Sequence, residues 1–301
     1  MEELALHVAK KYRPPESEEC WSRDWINQHA IFTIENGKVR YKETTKCTFQ
    51  ENFGKYRRDI VKQFIDSVGL TNTFKMPFDM SLHDFVGEQM NTDEFPHSIL
   101  GASLLENDRT NVMIPDFYAM KNYDGKLDDP DLMIHRHKVD RLLFIGSTTG
   151  NPDPYKNTRI QFCTWARNHT WVDAYISDVQ QMQYSSVLDH LMHVPISPRF
   201  QKMYKHIANI DGNTAAWDRI PWVLRSNSTL WKYESPHQCW YYPLMKPWTH
   251  YVPFTLDTLE KTWSERDVRT IYKPSTEFLN FETQKEYCRL VFEHIKDLKE
   301  P

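Results

Sequence analysis

The sequence predicts a mixed α/β chain folded as two lobes, and three observations carry that prediction. The chain has 301 residues and a mass of 36.0 kDa, more than one hydrophobic core usually serves. From Arg141 onward, short apolar runs, turns and helical stretches alternate, the order of a parallel α/β lobe. The segments Glu51–Leu70 and Glu282–Leu298 instead carry amphipathic helical patterns.

Taken in order, Glu51–Leu70 puts Tyr56, Ile60, Val61, Phe64, Ile65 and Val68 on one helical face. A polar, proline-marked stretch from Asn91 through Pro115 to Pro130 reads as loops around short strands. Within it, the charged, turn-rich run Lys121–Asp131 (KNYDGKLDDPD) is the expected linker. Arg141–Ile145 is a buried-strand pattern ending at the turn Gly146–Gly150 (GSTTG). His206–Ile210 is a second such strand, followed by a turn at Asp211 and Gly212 and a helix from about Ala215 to Leu224. Thr229–Trp231 and His250–Val252 add two more strands, and the closing helix Glu282–Leu298 shows Tyr287, Leu290, Val291 and Ile295 as a stripe. No internal repeat occurs, which argues against solenoids and propellers.

Composition excludes several function classes. The charge sum, 37 basic against 41 acidic residues, is −4 and gives no reason to expect nucleic acid as a partner. No apolar run of about 18 residues exists, so no membrane span is expected. Met1–Pro15 has no apolar core of a secretory signal, and the expected location is the cytoplasm. The five cysteines are odd in number, scattered and without a CxxC pair, which points to free thiols rather than a zinc ribbon or a disulfide scaffold. With only 9 glycines there is neither a GxGxxG nor a Walker-type loop.

In α/β sheets, ligands sit beyond the carboxyl ends of strands, where helix N-termini present free N–H groups. The turns Gly146–Gly150 and Asp211–Arg219 both occupy such a place, and each has an arginine nearby, Arg159 and Arg219. Two guanidinium groups at two strand ends suit a diphosphate. The triplet Asp129-Pro130-Asp131 has the DxD form that binds a divalent cation with a sugar nucleotide, but it falls in the charged run and reads as a solvated turn. His135-Arg136-His137 reads as a surface strand without a third ligand, so no metal site is expected. The sequons at Asn168 and Asn227 are expected to stay unmodified. Tyr241, Tyr242 and Trp248 suit either stacking on a uracil or sugar or packing in a core.

Four blocks give the sequence a family resemblance. Tyr241–Pro253 (YYPLMKPWTHYVP) resembles the FYP-LKPW-HY-P signature of the protein O-glucosyltransferase and fungal capsule xylosyltransferase family. Tyr204–Arg219 (YKHIANIDGNTAAWDR) is similar to that family's donor-site segment, Phe144–Gly150 with Arg159 to its FRGS-TG…R element, and Val112–Phe117 to its IMYP stretch. The blocks run in family order over roughly residues 80 to 253, and the likeness is faint outside them. Cys239 departs from the family pattern, as does the missing signal and retention tail.

The resemblance implies a GT-B fold, two Rossmann-like lobes with a cleft between them. The implied division is 1–138 as the acceptor-side lobe, 139–281 as the UDP-sugar lobe, and 282–301 as a helix packing back across the lobes. It implies an inverting glycosyltransferase that moves a sugar from a UDP-sugar to a hydroxyl of a glycan or glycoprotein acceptor, forming a β-linkage. Xylose is placed ahead of glucose, and neither metal nor cofactor is called for. The donor contacts it implies are Ser147, Arg159, Thr214, Ala215, Ala216, Trp217, Asp218 and Arg219. Its catalytic base falls on Asp84 in Ser81–Phe85 (SLHDF), with Asp79, Asp93 and Asp116 as alternatives, although the motif's arginine and proline are replaced here. The rival reading is a catalytically silent glycan-binding or scaffold protein that kept the fold.

Overall fold

A computed structural model describes residues 1–13, 29–35, 37–41, 51–70, 76–81, 98–266 and 275–299. The first elements are α1 (Glu2–Ala9), β1 (His29–Glu35), β2 (Lys38–Tyr41), α2 (Glu51–Val68), β3 (Met76–Ser81), β4 (Ile99–Gly101), β5 (Leu104–Leu105), β6 (Val112–Met113) and α3 (Phe117–Met120). Next come β7 (Val139–Ser147), α4 (Thr158–Ala166), β8 (Val172–Asp178), α5 (Pro198–Gln201), β9 (Tyr204–Asn209), α6 (Arg219–Leu224) and β10 (Thr229–Tyr233). The chain closes with β11 (His237–Gln238), β12 (Val252–Phe254), α7 (Leu259–Glu265) and α8 (Phe281–Lys299). Two compact units result: Met1–Asp124 with Pro236–Pro243 and Glu277–Pro301, and Gly125–Ser235 with Leu244–Thr276.

The first unit holds a five-stranded mixed sheet in the order β2-β1-β3-β4-β6. β1 runs antiparallel to β2 and β3, while β3, β4 and β6 are parallel. In α2 the spacing 60, 61, 64, 65, 68 keeps five apolar side chains on one buried stripe, as the sequence pattern requires. Tyr56 departs from that face: it is 50% exposed, and its hydroxyl accepts a hydrogen bond from Lys121 Nζ at 2.7 Å. The amphipathic α8 buries Tyr287, Leu290, Val291 and Ile295 and packs on α1 and α2 within this unit. Phe281 meets Phe64 edge-on at 5.9 Å, and the Tyr287 hydroxyl donates to the Met113 carbonyl.

The second unit is built on a wholly parallel five-stranded sheet, β12-β10-β9-β7-β8. Numbered within the unit the order is 2-1-3-4-5, so the strand order reverses between β7 and β9, the place where open α/β sheets bind ligands. Right-handed crossovers put the β7–β8 and β9–β10 connections on opposite faces. One face is filled by α4 and α7, whose Ile160, Phe162, Cys163, Leu259 and Trp263 join Leu142, Phe144, Ala208 and Trp231 in a single cluster.

Three local expectations need correction. The helix expected from Ala215 begins only at Arg219, because Asp211 Oδ1 draws the Ala216 N–H into the preceding turn. His135–His137 forms a 3₁₀ turn rather than a strand. The run Lys121–Asp131 is no solvated linker throughout: Asn122–Asp128 is a 3₁₀ helix with Tyr123 buried, and Asp131 Oδ2 pairs with the buried Lys138 at 2.6 Å. Among the described residues no helix is long and apolar enough to cross a membrane.

Candidate functional site

The reversal point of the parallel sheet gathers the two arginines singled out by the sequence. β7 delivers Ser147, and the next turn is braced by Thr148, whose hydroxyl donates to the Gln180 carbonyl and accepts the Gln180 N–H. Asn157 then starts α4. Its Oδ1 accepts from the N–H groups of Arg159 and Ile160, and its amide donates to the carbonyls of Thr148 and Asn151 at 2.8 and 2.9 Å. This cap satisfies two orphan donors and fixes Arg159 in the first helical turn.

From there the Arg159 guanidinium spans to the second turn. Nε donates to the Ile210 and Asp211 carbonyls, Nη2 to Ile210, and Nη1 to the Ser147 carbonyl at 3.1 Å and the Thr149 hydroxyl at 2.6 Å. Arg219, the first residue of α6, crosses the same two strands, with Nη1 on the Ala208 carbonyl and Nη2 on that of Ile145. Its guanidinium lies 5.2 Å above the Phe144 ring. The two cations flank one backbone point: a Cβ on Gly146 would lie 3.7 Å from Arg159 Nη1 and 3.7 Å from Arg219 Nη2.

Burial and the Arg219 charge lower the Arg159 pKa to about 10, and burial lowers that of Arg219. A guanidinium is not deprotonated in proteins, so both are cations at neutral pH. Neither forms an ion pair among the described residues; Asp211 and Asp218 are the acidic groups whose charge offsets the shift. Asp211 is itself committed, accepting from Asn209 Nδ2, the Ala216 N–H and the Ser235 hydroxyl. Two neighbouring desolvated cations are costly unless an anion completes them, so the arrangement suits an anion by its electrostatics.

Of the other expected donor residues, Thr214, Ala215 and Trp217 are buried in the second turn, and the Thr214 hydroxyl has no hydrogen-bond partner among the described residues. The Ala216 N–H is taken by Asp211, and Asp218 precedes α6 at its cap position. Asp84 and Asp93 lie outside the described residues, and for Asp79 only its place in β3 is described. Asp116 is fully buried and caps α3 through the N–H groups of Tyr118 and Ala119, a structural use of that carboxylate.

Asp129 and Asp131 precede the amino end of β7 and are held by Lys202 and Lys138. Along nine residues of strand, about 26 Å separates that end from Ser147. Among the described residues no group of three His, Cys, Asp or Glu could hold a metal ion. Tyr241 is fully buried and stacked on Phe278, whereas Trp248 is 51% exposed. Sequence reasoning missed Thr149, Asn157 and Asp211. Asn157 carried a readable signal as an N-cap residue before an apolar helix, while the Asp211–Ser235 bond joins residues too far apart in sequence to be foreseen.

Residues 148–287, which take in the end of the first turn, the whole of the second and both arginines, match the sequence model of Glycosyl transferase family 90. The chain carries a glycosyl transferase family 90 domain. The family assignment drawn from the four blocks therefore holds. Over 244 residues the chain is 23% identical to protein O-glucosyltransferase 2 of Danio rerio, covering 75% of this chain and 45% of that protein. Over 68 residues it is 40% identical to protein O-glucosyltransferase 3 of Mus musculus, covering 21% of this chain and 13% of the relative. A 64-residue stretch is 38% identical to an uncharacterized protein of Invertebrate iridescent virus 3, covering 21% of this chain and 6% of that protein. The chain thus spans less than half the length of these curated relatives.

Proposed function

We propose that this chain is an inverting glycosyltransferase that moves a sugar from a UDP-sugar to a hydroxyl of a glycan or glycoprotein acceptor. The observation that carries the reading is the Arg159–Arg219 pair at the strand reversal of a parallel sheet, inside the family 90 domain. A leaving nucleoside diphosphate accumulates negative charge as the bond from C1 breaks, and fixed guanidinium groups stabilise that charge without reorganising. The acceptor oxygen forms its bond to C1 on the opposite face while its proton passes to a carboxylate, the role assigned to Asp84. An α-linked donor then leaves a β-linked product. In this reading the two units act as the lobes of a GT-B enzyme and the reaction needs no metal. The donor is UDP-xylose or UDP-glucose; the relatives, named protein O-glucosyltransferases, support glucose as strongly as the sequence resemblance supports xylose.

The test joins a donor screen with a binding measurement. Hydrolysis and transfer are followed across UDP-xylose, UDP-glucose, UDP-galactose and UDP-glucuronate, and UDP affinity is measured by calorimetry. Replacing Arg219 by alanine should weaken UDP binding by about 1.5–3 kcal/mol, the scale of a hydrogen bond to a charged group. Unchanged affinity in a folded Arg219→Ala protein overturns the site assignment. UDP binding with no transfer from any donor would favour a silent, glycan-binding role.

A further inference from the structure

We infer that the two arginines divide the work: Arg159 is a positioning residue that clamps the two strand-end turns together, and Arg219 supplies the hydrogen bonds to the diphosphate. The inference rests on the donor-site reading above and deepens it. A guanidinium carries five N–H donors. In Arg159 four of them are already given to protein: Nε–H to Ile210 and Asp211, both protons of Nη1 to Ser147 and Thr149, and one of Nη2 to Ile210. One N–H remains. In Arg219 only two are given away, one from each terminal nitrogen, to Ala208 and Ile145. Three remain, including Nε–H, and Nε–H with an Nη–H is the parallel pair that grips a phosphate bidentately.

The acceptors show what Arg159 does with its donors. Ser147 ends β7 and Thr149 lies in the turn after it; Ile210 and Asp211 belong to the turn after β9. These two strands pair only as far as Leu142–Leu143 with His206–Ile207, so beyond that register the guanidinium holds the turns in contact, with four of its N–H groups against the single Gly150 N–H to Asn213 Oδ1 bond at 2.9 Å. The turns approach so closely that a Cβ on Gly212 would lie 2.5 Å from Thr149 Oγ1 and 3.0 Å from Arg159 Nη2. Arg219 also bridges β7 to β9, but through carbonyls within the strands, Ile145 and Ala208, whose backbone is already fixed by pairing with β8 and β10.

Removing Arg159 therefore lets the turns drift and weakens every nucleotide alike, whereas removing Arg219 strips the contact specific to the second phosphate. The experiment measures UDP and UMP affinity by calorimetry, and melting temperature, for the wild type and for Arg159→Ala, Arg159→Lys, Arg219→Ala and Arg219→Lys. Arg219→Ala should lose most of the UDP over UMP preference, about ten-fold or more. Arg219→Lys should recover part of it through its charge. Arg159→Ala should weaken both ligands by a similar factor, keep their ratio, and lower the melting temperature more than Arg219→Ala. Arg159→Lys should not rescue it, because an ammonium cannot bridge both turns.

If Arg159→Ala does not fold, Thr149→Val removes a single partner of Nη1 and should give the same pattern in milder form. Loss of the UDP over UMP ratio in either Arg159→Ala or Thr149→Val overturns the division. A wild type without preference for UDP overturns the donor-site reading instead. Melting temperatures then still decide the clamp, which fails if Arg159→Ala costs no more than Arg219→Ala.

Discussion

Gly212→Ala tests the contact between the two turns with a single methyl group. Gly212 does not use a left-handed backbone, so alanine there is opposed by space alone. The new Cβ would sit 2.5 Å from Thr149 Oγ1, and 3.0 and 3.1 Å from the Nη2 and Cζ of Arg159. Ordinary contacts begin near 3.4 Å, so the Thr149 hydroxyl must move by several tenths of an ångström, by rotation of its side chain or by opening of the turns. Either movement breaks the 2.6 Å hydrogen bond between Arg159 Nη1 and Thr149. Overpacking of this kind costs about 1–3 kcal/mol, or a melting temperature lower by roughly 2–4 °C for each kcal/mol in a domain of this size. UDP affinity should fall by about ten-fold as the arginine loses its register. Thr149→Ala alone removes the hydroxyl and costs the hydrogen bond, but in Gly212→Ala/Thr149→Ala the methyl occupies the space the hydroxyl left. The double variant should therefore be less damaged than the sum of the singles by at least about 0.5 kcal/mol, the threshold for real coupling. Thermal melts and calorimetry on the four proteins decide it. A neutral Gly212→Ala, or strict additivity in the cycle, would refute the reasoning.

The parts of this protein legible in the sequence are those in which chemistry is local. Helical periodicity in α2 and α8 and the apolar runs of β7 and β9 state their own burial, because each side chain's fate follows from its neighbours three, four or two positions away. The two arginines were visible as residues following strand-end turns. Their state was not, since a solvated and a buried guanidinium look alike in sequence. What decides between them is a set of backbone carbonyls, Ile145, Ser147, Ala208 and Ile210, supplied by strands about sixty residues apart. The same non-locality hid the anchoring of Asp131 by Lys138, whose ammonium is buried because Lys202 and Ser228 also receive it. It also cut short the helix expected from Ala215, where one carboxylate five residues earlier outcompetes the first helical turn.

The remaining predictions concern the base, the metal and pH. Asp84→Asn should leave UDP affinity unchanged and slow transfer by about 10²- to 10⁴-fold; near-wild-type transfer would move the test to Asp79 and Asp93. Asp116→Ala should act on folding, costing about 1 kcal/mol as a lost helix cap, and an effect on transfer without one on stability would contradict that. Exhaustive chelation should leave full turnover, because Asp129 and Asp131 are already paired with lysines; activity lost to chelator and restored by Mn²⁺ would return them to the site. The last prediction comes from His206, which is 1% exposed. Trp231 Nε1 can only donate, so Nδ1 of His206 accepts from it and Nε2 must carry the proton shared with Asp140. Burial pushes the His206 pKa down from its ordinary 6.5 despite the opposing pull of Asp140, with Arg266 and His135 adding to the fall. His135 is lowered as well, by burial and by Lys205 and Lys138, while Asp140 is held below its ordinary range by Lys205, His206 and Arg266. The unfolded chain therefore binds protons at these histidines that the folded chain refuses. Their contribution to stability is fully present above pH 6.5 and is lost progressively as pH falls from 6.5 toward about 3, the value for folded His206. Melting temperature should drop across that window, and His206→Gln, which can still accept from Trp231 and donate to Asp140, should flatten the drop. An equally steep pH profile in the folded variant would show that His206 is not its source.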